Sequence, residues 1–187
     1  MSSHLDYEIN KELGECYLFM GDMDKAEEFY LKAASSNGVH PDPYLGLATI
    51  AVQRGDLNKA HTLYTQAADI QSSDKALAGM ALVEMEMGAQ DLAYAHFNEA
   101  MLVNPENKIA IFGLIQMGHA LERVDELVPN LERVLEAAPG MDDVRFALAA
   151  CLVRMERTED AAHQLETVLG NDPNNEVALE LYSQVMA

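Results

Sequence analysis

Apolar and polar positions along this chain follow a helical period, and the pattern itself recurs. Leu13, Gly14 and Tyr17 share one helical face, and Leu47, Ala48 and Ala51 stand in the same relation one repeat later. A second stripe, Ala26, Tyr30 and Ala33, returns as Ala60, Tyr64 and Ala67, and again as Ala93, Phe97 and Ala100. It continues in aliphatic form as Leu127, Leu131 and Val134, then as Ala161, Leu165 and Val168. The period is 33 or 34 residues throughout, and Pro105, Pro139 and Pro173 mark it once more at the ends of the later units. Between the stripes stand Gly21-Asp22, Gly55-Asp56 and, in the third unit, Gly88. Gly takes a positive φ and Asp caps the helix that follows, so these are turns.

Each period therefore encodes a helix–turn–helix hairpin whose two stripes are buried only if neighbouring hairpins stack. The expected units are 7–40, 41–73, 74–107, 108–141 and 142–175, with residues 176–187 as an amphipathic closing helix. Asn104-Pro105-Glu106-Asn107 and Asp172-Pro173-Asn174-Asn175 stop one helix and cap the next. Units four and five carry Glu122 and Glu156 where the turn glycine is expected. Pro129 falls inside the second helix of unit four, where a kink or a shortening is expected.

These rows resemble the tetratricopeptide repeat family, whose first helix carries Trp, Leu, Gly and Tyr and whose second carries Ala, an aromatic and Ala before a Pro. The family's Trp row holds Asn10, Tyr44, Leu77, Ile111 and Arg145 instead. The resemblance spans nearly the whole chain and implies an all-α fold, a right-handed superhelical solenoid of antiparallel helix hairpins. It also implies that the first helices line a concave groove. Counted from each unit's start, the groove positions include Lys11, Glu15, Leu18 and Phe19, then Leu45, Thr49 and Val52. Leu82 and Met85 follow in unit three, Phe112, Gln116 and His119 in unit four, and Phe146 and Val153 in unit five. A purely solvated face would be polar, so this apolar series reads as an interaction surface. The carboxylate clamp of co-chaperone members is not matched: its positions read Lys11, Glu15, Gly46, Lys75 and Gly79.

Charge narrows the partner. Thirty-one acidic residues against twelve basic ones give a formal charge of −19, which repels phosphate backbones and anionic lipid. The expected partner is another protein, a peptide or an amphipathic helix of basic character, with neither nucleic acid nor membrane insertion. No basic stretch followed by an apolar run opens the sequence, and the cytoplasm is the expected compartment. Cys16 and Cys151 form no CxxC pair and fall in the apolar row of Ile50, Val83 and Met117, so both are expected in the core.

Catalytic chemistry finds no constellation. The six histidines show no zinc spacing and read as surface or interhelical residues, and the acidic residues read as solvated faces. No nucleophile elbow or phosphate-cradling loop appears. The expectation is a non-enzymatic interaction module without a cofactor, a scaffold or assembly factor. Its alternatives are a dedicated chaperone for a secreted or assembly-prone client, or a self-associating protein that buries Leu179, Tyr182 and Met186 against another copy.

Overall fold

Helix boundaries fall where capping residues and turns direct them. The computed structural model describes residues 2–36 and 39–187, and among these it holds eleven α-helices and no strand. They are α1 (Ser2–Phe19), α2 (Met23–Ser36), α3 (Asp42–Gln53), α4 (Leu57–Ile70), α5 (Asp74–Glu86) and α6 (Gln90–Val103). After these come α7 (Lys108–Ala120), α8 (Val124–Ala137), α9 (Asp142–Arg154), α10 (Thr158–Asn171) and α11 (Glu176–Val185). The end of the first expected unit, at residues 37–38, lies outside the described residues. Side-chain caps start several helices: Asp56 accepts from the Lys59 amide at 3.0 Å, Asn107 from Ala110 at 3.0 Å and Asn175 from Ala178 at 3.0 Å. The chain divides into two compact units, the first ending at Ala100 and the second running Met101–Ala187.

The second-helix stripe forms the core. Ala26, Ala60, Ala93, Leu127 and Ala161 are all fully buried, as are Phe97, Leu131 and Leu165. In the first unit the close packing depends on glycines set against tyrosine rings. Tyr30 of α2 is wedged between Gly14 of α1 and Gly46 of α3: a Cβ at Gly14 would lie 2.8 Å from the ring, and one at Gly46 only 2.3 Å. Tyr64 of α4 meets Gly79 of α5 in the same way, at 2.3 Å. In the second unit Leu127 of α8 replaces the aromatic and sits 2.6 Å from the place a Gly118 Cβ would take. Small residues thus let helix backbones approach a large side chain from a neighbouring helix.

Turns without glycine keep the glycine conformation. Gly21, Gly55 and Gly88 have φ of 79°, 75° and 80°, while Glu122 and Glu156 hold φ of 58° and 60°. An L-residue pays roughly 1 kcal/mol or more for that region. Glu122→Gly and Glu156→Gly are therefore each expected to stabilise the second unit by about 1 kcal/mol, read as a shift of the urea midpoint.

Three expectations are corrected. Pro129 does not shorten its helix: α8 runs through it and matches the 14 residues of α4 and α10. The ring removes one backbone donor, and burial of Leu127, Val128, Leu131 and Val134 around it holds the helix in place. The closing helix ends at Val185 rather than at Ala187. Cys151 is buried, with its thiol pKa pushed up by burial, but Cys16 is exposed. Ile50, Val83 and Met117 in the same row are buried, and Cys16 differs because among the described residues no helix precedes α1 to cover that flank.

Candidate functional site

The side chains expected in the groove lie on the first helix of each hairpin, and none of them is fully buried. In the first unit, Val52 at the end of α3 and Leu82 on α5 line one open apolar pocket of about 480 Å³. Gly79 and the half-buried Tyr64 ring, which fills the space a Gly79 side chain would take, line it together with Leu57 and Val83. Glu86 places a carboxylate at the rim. A pocket of this size accepts a bulky aliphatic or aromatic side chain, and its charged edge favours a neighbouring Lys or Arg.

Other groove positions in this unit are committed to local contacts. Lys11 pairs with Glu8 at 2.9 Å, and the Thr49 hydroxyl donates to the Leu45 carbonyl at 2.9 Å. Leu18 rests on the cluster of Ala26, Tyr30, Leu47 and Ile50. Leu45 and Met85 are half-buried, whereas Glu15 is exposed and Phe19 is 94% exposed.

In the second unit Phe112 is exposed beside a cleft of about 470 Å³, with Lys108 of α7 and Met141, Asp142 and Asp143 at the start of α9. One turn along α7, Gln116 is exposed. His119 receives a hydrogen bond at Nδ1 from the Arg154 guanidinium, 3.0 Å away. Burial, and secondarily the Arg154 charge, lower the His119 pKa, so its ring is a neutral acceptor there. Val153 is half-buried, and Phe146 packs against Ala149, Leu165, Val168 and Ala178. Phe146 thus serves the stack of α9, α10 and α11 more than a ligand.

One polar cluster escapes the sequence rows. Glu84 of α5 is only 3% exposed, and it sits between His61 of α4 and His96 of α6. His61 Nε2 lies 3.0 Å from one carboxylate oxygen and His96 Nδ1 lies 2.7 Å from the other. A carboxylate only accepts, so both rings donate to it. Reading the acidic residues as solvated faces misses this one. The available signal is its row: Tyr17, Ala51, Gly118 and Leu152 occupy the equivalent positions, and Glu84 is the one charged member. Among the described residues no group of three or more His, Cys, Asp or Glu side chains is arranged to hold a metal ion. The cluster ties three helices together and offers no nucleophile.

Comparison with known proteins settles the family. Profiles of the tetratricopeptide repeat match residues 8–40 and 120–185. Solved repeat structures superpose along the chain: PilF of Pseudomonas aeruginosa at a TM-score of 0.75 and 18% identity, covering 99% of this chain and 85% of that one. The chain is a tetratricopeptide repeat protein. YrrB, described as a repeat protein with an unusual peptide-binding site, gives a TM-score of 0.69 at 18% identity over 91% and 89% of the two chains. The second repeat domain of human RPAP3, solved with an HSP70 peptide, gives 0.57 at 22% identity over 62% and 97%. Among curated proteins, the BBSome complex member BBS4 of Bos taurus is 30% identical over 107 residues. Those residues are 57% of this tetratricopeptide repeat chain but only 20% of that relative. Tetratricopeptide repeats mediate protein–protein interaction and are generally non-enzymatic. Among the described residues no helix is long and apolar enough to cross a membrane.

Proposed function

We infer that this chain is a non-enzymatic assembly module that holds an amphipathic, basic segment of another protein on the first-helix face of its repeats. The reading takes the five hairpins at 7–40, 41–73, 74–107, 108–141 and 142–175, with the closing helix, as one binding module. The observation that carries it is the pocket floored by Tyr64 and walled by Val52 and Leu82, apolar inside and edged by Glu86. A side chain entering it loses apolar surface to water at roughly 25 cal/mol per Å², while the formal charge of −19 draws a basic segment in. YrrB and the RPAP3 domain are peptide binders by their own descriptions, and BBS4 belongs to a multi-subunit complex, which supports a ligand of the same class. The ligand differs from a terminal carboxylate. Glu15 would repel one, and Gly46 and Gly79 supply no donor and lie against tyrosine rings.

The test compares wild type with Leu82→Glu and Phe112→Glu, both at exposed positions where the fold tolerates charge. Partners retained from native extract are expected to fall about tenfold or more with Leu82→Glu at unchanged helicity, since a carboxylate would enter the apolar pocket. Equal retention by all three proteins would remove the first-helix face as the binding surface.

A further inference from the structure

The repeat register shows which flank of a first helix is covered, and on α1 that flank is exposed. Ile9 is 48% exposed, whereas its counterparts Pro43, Ala76, Ala110 and Val144 are buried. Cys16 is exposed, whereas Ile50, Val83, Met117 and Cys151 are buried. Between them stands Glu12, whose counterparts Gly46 and Gly79 are covered by Tyr30 and Tyr64 of the preceding second helices. In these hairpins the flank is thus occupied by a helix.

We propose that the α1 flank of Leu5, Ile9, Glu12, Cys16 and Phe19 is a second docking surface, taken by one amphipathic helix of another protein with Lys or Arg at the centre of its apolar seam. The five positions advance by four, three, four and three residues, the spacing of a coiled-coil seam rather than of a broad core face. Leu5 and Phe19 are exposed at its ends, so the seam is apolar over its whole length but for Glu12 and open to solvent. Glu12 decides the occupant. A second copy docked along the same seam, parallel or antiparallel, places Glu12 against its own equivalent at the midpoint. Asp6 and Glu15 on the same helix add to that repulsion, Glu8 being paired with Lys11, as does the formal charge of −19 on each copy. A foreign helix with a central basic residue converts the same position into an ion pair. This surface is separate from the Val52–Leu82 pocket and does not depend on it.

The probe is a synthetic peptide of three heptads with Leu along the seam and a central Lys, beside an otherwise identical peptide with a central Glu. Binding is read by fluorescence anisotropy of the labelled peptide, and by the rate at which iodoacetamide alkylates Cys16, with buried Cys151 as the internal reference. The Lys peptide is expected to bind and slow Cys16 alkylation, and the Glu peptide to bind about tenfold more weakly. Glu12→Lys reverses the preference, Ile9→Asp abolishes binding, and Leu82→Glu leaves it unchanged. The proposal is overturned if Cys16 reacts at the same rate with and without peptide, or if binding follows Leu82→Glu and ignores Ile9→Asp. It is also overturned if sedimentation finds a dimer of the wild type that Ile9→Asp dissolves, because a second copy is then the occupant.

Discussion

Gly46→Ala is expected to destabilise the unit ending at Ala100 by about 2 kcal/mol, although it exchanges the worst non-proline helix former for the best. The exchange alone would add up to about 1 kcal/mol to the stability of a helix interior. Against this stands the Tyr30 ring, 2.3 Å from the place the new methyl would occupy. The ring has little room to retreat, because Gly14 of α1 also approaches it closely, with its Cβ position 2.8 Å from the ring. Overpacking a buried site costs roughly 1–3 kcal/mol, and here the opposing helix must move with the ring, so the upper part of that range applies. Gly170→Ala supplies the contrast. Nothing lies within 4 Å of its Cβ position, and the expected change is neutral to slightly stabilising. The measurement is urea unfolding followed by helicity, and Gly46→Ala with Tyr30→Leu is expected to recover part of the loss through coupling between neighbours. Equal midpoints for Gly46→Ala and wild type would mean that the ring does not hold α1 and α3 at that distance.

His96→Leu is expected to cost about 2–3 kcal/mol by stranding one oxygen of the buried Glu84 carboxylate. The side chain lost is itself partly exposed, so packing contributes little and the cost lies in the unpaired acceptor. That account makes a sharper demand. Glu84→Met in the His96→Leu background removes the stranded group and is expected to restore most of the stability, because replacing both partners by apolar groups is nearly neutral. A double variant as unstable as His96→Leu alone would assign the loss to packing around the imidazole.

Much of the fold was legible because stacked repeats bury the same row every time. The Ala, aromatic and Ala rows identify the second helices, and the Asn and Asp caps fall where the sequence places them. What the rows do not contain is position within the stack. Cys16 obeys the pattern of its row and is nevertheless exposed, since burial there depends on a preceding helix. Glu84 was illegible for a different reason. Its partners lie 23 residues before and 12 residues after it, on other helices, and no single helical period joins the three. The first-helix face was legible only as a set of candidates. Periodicity places Leu18, Phe146, Val52 and Leu82 on one face, but side-chain packing commits Leu18 and Phe146 to the core while Val52 and Leu82 stay open. Glu122 and Glu156 show that a turn can keep its left-handed geometry after losing its glycine, so the motif outlasts its usual residue.

Repeat chains are readily lengthened or shortened by duplication of whole hairpins, because every junction between hairpins is nearly equivalent to the next. The His61–Glu84–His96 contact makes one junction here unlike the others. A copy of α3 and α4 inserted after α4 would keep a His61 equivalent beside Glu84 and be accommodated. Removal of α3 and α4 would instead bring α2 against α5, with Glu27 at the position His61 now fills, setting one carboxylate against another. The order of the hairpins in the first unit is therefore written into its chemistry, and the number of repeats before α5 can grow more easily than it can shrink.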